Sequence, residues 1–400
     1  MRKAGGTAED RSFAIGKLQA YQQVLESSLG IPFSNQNAIE VLKNGDEIFP
    51  AMLKAIDEAE HTIDFLTFVY WSGDIAVRFA EALSRKAREG IEVRVILDSF
   101  GAAFMPDELY QKMDQSGVQI EWFRPFTQWK IWKTDNRTHR KVLICDNKIG
   151  FTGGVGIAEE WEGDARNPDE WRETHFRIEG EAVFGLHAAF MENWIETGRP
   201  LLVDRDWNSW KTDASSEGAA VQVVRTSASV RWSDIVMLYH TLISMARERI
   251  QITTAYFNPH KVIVDLLKKK AREGVKVDIM MPGRHIDKRV AKIAGEDSFQ
   301  PLLDAGVTLW YYQKTMLHSK IICIDDAVSC IGSANFNHRS MLKDDEINLV
   351  VIDPKLSEML NKHFRMDLGD CDKVEESLWK RRSLFRRSLE TVTNLFKQQI

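Results

Sequence analysis

A chain of 400 residues, 44% of them apolar, is long enough to fold around two substantial hydrophobic cores. Its 53 basic and 58 acidic side chains give a formal net charge of −5, so the chain lacks the global basic signature of a nucleic-acid-binding protein. Any attraction to anionic lipid must therefore come from local patches.

The sequence also indicates the cellular compartment in which the protein is expected to fold. No stretch approaches the roughly 18 apolar residues of a transmembrane helix, and residues 1–30 lack the apolar core of a secretory signal. We therefore expect a soluble or peripheral protein made in the cytosol. The cysteines are predicted to be small buried hydrophobic residues in a reducing compartment. They are Cys145, Cys323, Cys330 and Cys371.

Hydrophobic periodicity predicts alternating strands and helices near the start of the chain. Strands are predicted at residues 37–42, 62–71 and 93–97, and helices at residues 13–29, 48–59 and 75–89. This order predicts an α/β fold with a largely buried sheet.

A repeat divides the chain into halves. The pentapeptide Lys-Ala-Arg-Glu-Gly begins at Lys86 and again at Lys270, 184 residues later, each time before an apolar strand. A duplicated α/β unit most simply forms a pseudo-twofold pair with one cleft at the interface. The predicted units are an N-terminal helical extension (1–36), a first half (37–205), a second half (206–370) and a basic amphipathic tail (371–400).

Each half carries the pattern His-x-Lys-x-x-x-x-Asp, at residues 139–146 and 318–325. Four apolar residues between Lys and Asp predict a buried strand. Alternate side chains of a strand share a face, so His and Lys should point the same way and Asp the opposite way. The aspartates are therefore expected to orient neighbours rather than react. The candidate catalytic residues are His139, Lys141, Asp146, His318, Lys320 and Asp325.

These side chains fit metal-free phosphoryl transfer. A neutral imidazole beside a lysine can attack phosphorus, and a second imidazole can protonate the leaving group. The lysines would stabilise charge on the phosphate oxygens. The acidic run at residues 159–164 lacks regular oxygen-ligand spacing, so we expect neither a metal ion nor another cofactor.

Small and acidic residues follow both motifs. Gly154 and Ser333 lie where backbone N–H groups could approach a phosphate, and Asn335 can donate its amide to a phosphate oxygen. Farther along, Glu173 and Glu346 lie in strand-like runs, one in each half. A carboxylate there could hold the Nδ1 proton of a catalytic histidine and fix its tautomer.

The paired motifs, with Gly332-Ser333-x-Asn335 after the second, resemble the phospholipase D superfamily. Within it, residues 138–146, 151–154, 171–175 and 255–257 resemble bacterial cardiolipin synthases. The resemblance implies two phospholipase D-like α/β sandwich halves packed around one active site. It also implies a phosphohistidine intermediate on one motif histidine, with the other acting as general acid and then base.

By position, the resemblance implies that Lys141, Lys320 and Asn335 bind the phosphate, while Glu173 and Glu346 orient His139 and His318. Two departures accompany it. Gly156 stands where the family usually has Asn, which removes a phosphate donor and predicts unequal half-sites. Glu173 stands where cardiolipin synthases usually have Asp, which keeps the charge and adds a methylene.

Two further stretches suggest contact with a membrane. Residues 122–133 alternate aromatic and basic side chains, a mixture found at membrane–water interfaces. This stretch could instead be a packed loop covering the cleft, or a surface that stacks single-stranded nucleic acid. Residues 374–396 form a basic amphipathic pattern that could contact a membrane or simply pack on the second half.

The leading interpretation is a phosphatidyltransferase similar to cardiolipin synthase, which transfers a phosphatidyl group to a lipid alcohol such as phosphatidylglycerol. We expect it on the cytoplasmic side of the cell membrane, peripherally associated, with phospholipid as its substrate. One alternative uses the same site to hydrolyse phospholipid or nucleic acid, although the net charge argues against nucleic acid. Another is a non-catalytic scaffold that binds lipid or anions, for which Gly156 is the only support.

Overall fold

The computed structural model describes residues 8–125, 136–202, 218–227, 233–288, 292–293 and 295–375, and the side chains from residue 16 onward. The strands of the first half are β1 Ser34–Lys43, β2 Thr62–Thr67, β3 Glu92–Asp98, β4 Gln119–Phe123, β5 Val142–Cys145, β6 Ile149–Gly153 and β7 Thr174–Glu179. Its helices are α2 Asn44–Glu58, α3 Asp74–Arg88, α4 Asp107–Gln115 and α5 Ala182–Glu196, and α1 Ala8–Leu29 precedes them.

The second half repeats this pattern. Its strands are β8 Ala219–Thr226, β9 Arg249–Thr253, β10 Phe257–Asn258, β11 Lys276–Pro282, β12 Thr308–Tyr312, β13 Ile321–Ile324, β14 Val328–Gly332, β15 Phe336–Asn337, β16 Glu346–Ile352 and β17 Cys371–Lys373. Its helices include α6 Asp234–Met245, α7 Lys261–Arg272, α8 Phe299–Leu303, α9 His338–Leu342 and α10 Pro354–Asp367.

One continuous sheet joins the halves. In the described part of the chain its order is β17-β12-β11-β9-β13-β14-β16-β8-β1-β7-β6-β5-β2-β3-β4. The run β4-β3-β2-β5-β6-β7-β1 is repeated, with the same relative directions, by β12-β11-β9-β13-β14-β16-β8. The two copies meet where β1 and β8 pair antiparallel. The duplicated α/β architecture predicted from the sequence is therefore confirmed.

The ends of the two halves differ from the predicted boundaries. Helix α1, predicted as part of an extension, buries Tyr21 and Leu25 in the core of the second half, where it packs against α6. Strand β1 already begins at Ser34, and residues 371–373 pair with β12 as an edge strand. Apolar side chains explain the position of α1, because they bury more surface by joining the core than by remaining outside it. The edge strand is instead held by backbone pairing with β12.

Other predicted elements lie close to their observed positions. The predicted strand at residues 62–71 is an exception: β2 ends at Thr67, and Phe68 leaves the sheet to lie near the motif histidine of its half. Of the two stretches predicted to contact a membrane, residues 126–133 and the tail beyond residue 375 lie outside the described residues. No helix among the described residues is long and apolar enough to cross a bilayer.

Candidate active site

The apolar runs of the two motifs form the buried strands β5 and β13, as predicted. Both strands begin one residue after the motif lysine, however, so the histidine and lysine precede the strand rather than sharing one of its faces. The predicted strand therefore covers only the apolar part of each motif. Cross-half pairing determines the position of each histidine instead.

Each motif histidine pairs with a segment of the other half. The His139 N–H donates to the Asp345 carbonyl at 2.9 Å, immediately before Glu346 in the second half. The His318 N–H donates to the Arg172 carbonyl at 2.8 Å, immediately before Glu173 in the first half. Isolated parallel β-bridges, which pair Thr138 with Asp345 and Arg172 with Leu317, accompany these bonds. Backbone pairing therefore places each histidine beside the glutamate of the opposite half.

The side chains repeat this crosswise arrangement. His139 Nδ1 lies 3.0 and 3.1 Å from the carboxylate oxygens of Glu346. His318 Nδ1 lies 2.7 Å from Glu173 Oε2. Both glutamates are buried, with at most 1% of their surface exposed. A carboxylate at Nδ1 favours the tautomer that carries its proton there, which leaves the Nε2 lone pair available to attack an electrophile.

A buried lysine accompanies each histidine. Lys141 Nζ donates to the His139 carbonyl at 2.7 Å, and Lys320 Nζ donates to the His318 carbonyl. Lys320 Nζ also lies 2.9 Å from His318 Nδ1, so its charge acts directly on that ring. A buried cation lacks the screening of bulk water, so it attracts a bound anion strongly.

Burial and the lysines keep both imidazoles neutral. Burial and, to a smaller extent, the charge of Lys320 lower the pKa of His318 to about 4, against the opposing effect of Glu173. Burial also lowers the pKa of His139 well below its usual value, with Lys141 and Lys320 adding to the effect. At neutral pH both rings are therefore uncharged in the free protein.

The two carboxylates are not equivalent. Burial alone would raise the pKa of Glu173, but the charge of Lys320 and the hydrogen bond from His318 lower it to about 2. Burial raises the pKa of Glu346, although Lys141 opposes this effect. The Glu173 carboxylate is thus the better stabiliser of a positively charged histidine.

The motif aspartates do not belong to this cluster. The Asp146 carboxylate accepts N–H bonds from Glu60, His61 and Thr62 at 2.7 to 2.9 Å. The Asp325 carboxylate accepts N–H bonds from residues 247–249. It also accepts a hydrogen bond from the Tyr21 hydroxyl at 2.7 Å. Both aspartates therefore anchor loop backbone at the far ends of their strands.

The predicted phosphate-binding residues fall into two groups. The Ser333 hydroxyl donates to Glu346 Oε2, and a Cβ atom at Gly154 would lie 2.3 Å from Glu173 Oε2. Ser333 therefore holds one glutamate, and Gly154 makes room for the other. Asn335 is buried, and its Oδ1 has no hydrogen-bond partner among the described residues. Of these three residues, it alone keeps an unsatisfied polar atom.

Both halves of the chain also match a known family. Residues 52–171 and 239–368 match a family model described as "Cardiolipin synthase, PLD-like domain". The chain belongs to this family. The two matched segments contain the two motifs, so each half of the duplicated sheet corresponds to one copy of the domain.

Individual relatives agree with this assignment. Cardiolipin synthase 1 of Bacillus cereus is 32% identical over 384 residues, covering 93% of this chain and 74% of the relative. A probable cardiolipin synthase of Bacillus subtilis is 33% identical over 369 residues, covering 91% of this chain and 72% of the relative. The crystal structure of phosphatidylserine synthase from Haemophilus influenzae shares the fold, with a TM-score of 0.75, 13% identity, and coverage of 95% of this chain and 100% of that one.

The structure explains the departure from the family pattern at Gly156. A Cβ atom there would lie 2.8 Å from Val69 Cβ and 3.0 Å from the Trp161 ring. The indole of Trp161 lies 4.4 Å from Trp171 and 5.3 Å from His318, measured between ring centroids. Where the second half has Asn335, the first half therefore has an aromatic wall beside the histidine of the other half.

Gly156→Asn tests this account of the phospholipase D-like site. We expect a loss of about 1–3 kcal/mol in the free energy of unfolding, because the added atoms overlap packed neighbours. Urea denaturation measures the change. The double variant Gly156→Asn with Trp161→Ala should lose less than the two single losses combined, since the smaller residue makes room for asparagine. Strict additivity would contradict the proposed overlap.

Two buried arginines that were not predicted from the sequence bind the backbone carbonyls of the two glutamates. Arg140 is fully buried and donates Nε to the Glu346 carbonyl at 3.2 Å, with further bonds to the carbonyls of Ala189 and Thr226. Arg172 donates to the Glu173 carbonyl. Neither stands out in the sequence, because Arg140 lies between His139 and Lys141, and Arg172 directly precedes Glu173. Among the described residues, no cluster of three or more His, Cys, Asp or Glu side chains could hold a metal ion.

Proposed function

We propose that this phospholipase D-like protein is a phosphatidyltransferase that transfers a phosphatidyl group to a lipid alcohol through a phosphohistidine intermediate. The observation that carries the proposal is the crosswise pair of His–Glu contacts, each beside a buried lysine. The relatives named cardiolipin synthase support phosphatidylglycerol as the acceptor. We place the protein peripherally on the cytoplasmic side of the membrane, with phospholipid as donor.

In the first step, the His139 Nε2 lone pair attacks the phosphorus of a phosphodiester. A P–N bond forms as the bond from phosphorus to the leaving alcohol breaks, and His318 gives the alcohol its proton. A bound phosphodiester adds negative charge, which raises the pKa of His318 and allows it to carry that proton. Lys141, Lys320 and Asn335 hold the phosphate oxygens.

In the second step, the acceptor hydroxyl gives its proton to His318 and attacks phosphorus. The P–N bond breaks, so the new phosphodiester leaves and His139 is regenerated. We assign the roles from the unequal carboxylates: Glu173, with a pKa of about 2, best stabilises an imidazolium at His318, whereas burial and the nearby lysines keep His139 neutral. The ring contacts of Phe68 with His139 and of Trp161 and Trp171 with His318 limit access of water, which favours transfer over hydrolysis.

A lipid product assay tests the function. Purified protein is incubated with phosphatidylglycerol, with and without phosphatidylethanolamine, and the products are separated. Transfer between two phosphatidylglycerol molecules yields cardiolipin and glycerol. Accumulation of phosphatidic acid without cardiolipin would instead assign hydrolysis, and a parallel incubation with single-stranded DNA tests the nuclease alternative. Binding to vesicles with no turnover of any substrate would favour the scaffold.

The lysines predict an unusual pH dependence. Burial lowers the pKa of Lys141 to about 7 and that of Lys320 to about 8, although glutamates oppose the shift. Raising the pH through these values removes the cations that bind phosphate. We therefore expect kcat/KM for a short-chain phosphatidylglycerol to fall above about pH 7–8, far below the ordinary lysine pKa of about 10.4. Constant kcat/KM up to pH 10 would contradict this role of the lysines.

A further inference from the structure

The loop after β3 exposes two large aromatic side chains. Phe100 is 59% exposed and Phe104 is 77% exposed, the highest values among the large apolar side chains of this loop. The Phe104 ring lies 6.3 Å from the ring of Trp71. Clustered exposed aromatic residues typically mark a contact surface for another molecule.

This loop is fixed to the active site. The Asp98 carboxylate accepts N–H bonds from Phe100 at 2.9 Å, from Gly101 at 3.0 Å and from Thr138, next to His139, at 3.2 Å. A Cβ atom at Gly101 would lie 2.8 Å from the Phe68 ring, which in turn lies 5.2 Å from the His139 ring. The loop that carries both aromatic residues is therefore held against Phe68, whose ring packs on one motif histidine.

The equivalent loop of the second half is basic. The repeat offset of 184 residues that relates β3 to β11 places Arg284 at the position of Phe100 and Lys288 at that of Phe104. Both side chains are exposed. Lys288 Nζ lies 5.6 Å from the centroid of the Tyr256 ring.

This basic loop borders the other histidine. Ile286, between the two cations, packs with Tyr256 and Met316 in a small cluster against Trp171. The Trp171 ring lies 5.3 Å from the His318 ring. The pseudo-twofold relation therefore puts an aromatic loop beside one histidine and a basic loop beside the other.

We propose that Phe100, Phe104, Arg284 and Lys288 form a membrane-contact rim that seats the active site on a bilayer containing anionic phospholipid. The rim deepens the proposed function and rests on it. Aromatic rings favour the boundary between headgroups and acyl chains, and the cations match the negative charge of the lipid phosphates. With the rim on the bilayer, phospholipid headgroups reach the histidines while their acyl chains stay in the membrane.

Vesicle binding tests the aromatic half of the rim. The double variant Phe100→Ser with Phe104→Ser should bind vesicles of phosphatidylcholine and phosphatidylglycerol about tenfold or more weakly, because two aromatic rings no longer enter the interface. The matched control replaces Met359 and Met366 of α10, which are 47% and 55% exposed, by serine. The control should bind as the unaltered protein does. Equal binding by all three proteins, or an equal loss in the control, would overturn the proposal.

Charge reversal tests the basic half. Arg284→Glu with Lys288→Glu should weaken binding about tenfold or more and remove its dependence on the phosphatidylglycerol fraction. The matched control reverses Lys261 and Lys269 of α7, whose side chains are 83% and 68% exposed, and should retain that dependence. Unchanged lipid dependence in the rim variant would overturn the electrostatic part of the proposal.

Activity on two forms of substrate separates the rim from the chemistry. The phenylalanine variant should keep its activity on short-chain phosphatidylglycerol below its micelle concentration, and lose activity on long-chain vesicles in step with binding. Loss of activity on both forms with normal vesicle binding would overturn the rim. If the unaltered protein bound vesicles through the rim but formed no transfer product, the proposed reaction would be contradicted and the rim would still be supported.

Discussion

Alanine at His139 or at His318 is expected to lower kcat for phosphatidyl transfer by at least about 10⁴-fold, since each variant removes one of two groups that act as a unit. Without His139 no P–N bond can form. Without His318 the leaving alcohol receives no proton and the acceptor hydroxyl is not activated. Radiolabelled phosphatidylglycerol and separation of the lipid products measure the loss.

The matched control for these variants is His61→Ala, because His61 is exposed and its backbone, not its ring, bonds to Asp146. It should retain full activity. Thermal unfolding should show that all three variants remain folded, since truncating either imidazole leaves the strands β5 and β13 intact. Full transfer activity in either active-site variant would reject the double-displacement mechanism.

Glutamine at Glu173 or Glu346 is expected to reduce kcat by about 10²- to 10⁴-fold, because an amide neither fixes the tautomer of the histidine nor stabilises its charged form. The loss should be larger at Glu173, which is ionised and faces the histidine that carries a proton in the proposed mechanism. Steady-state kinetics on short-chain phosphatidylglycerol measures both variants. Equal activity of Glu173→Gln and the unaltered protein would contradict the orienting role.

The same substitutions test the crosswise pairing independently of activity. With ¹⁵N-labelled histidine, Glu346→Gln should shift the ring nitrogen signals of His139 and leave those of His318 nearly unchanged. Glu173→Gln should do the reverse. A pairing within each half would exchange the two patterns, so the spectra decide between the arrangements.

The repeated motifs were sufficient to predict the duplicated α/β architecture, and they singled out one histidine and one lysine in each half. Parity along the motif strand also indicated that Asp146 and Asp325 would not react, and both lie away from the histidines. These features are local, or they recur at a fixed offset, so periodicity and spacing reveal them.

Contacts between distant segments were not predictable in this way. The sequence shows one glutamate per half but not that Glu346 faces His139, because backbone pairing between Thr138 and Asp345 decides it. The glycine at position 156 likewise reflects packing that the sequence does not show, because its Cβ would lie 2.8 Å from Val69 and 3.0 Å from the Trp161 ring. The first depends on how the two halves pack and the second on tertiary packing within one half, and a local sequence pattern records neither.

The same reason explains the role of α1. A polar helix at the start of the chain gave no indication that Tyr21 would bond to Asp325, 304 residues later. Its hydroxyl joins three backbone N–H groups at that carboxylate, so a helix predicted as an extension is part of the second half.

Trapping the covalent intermediate tests the central claim most directly. Protein mixed briefly with short-chain phosphatidylglycerol is quenched in alkali, where phosphohistidine survives, then digested and analysed by mass spectrometry. The account predicts a phosphatidyl group, or the phosphate left from it, on the peptide that contains His139, and none in the His139→Ala variant. A modified peptide containing neither motif histidine, or modification that persists in that variant, would contradict it.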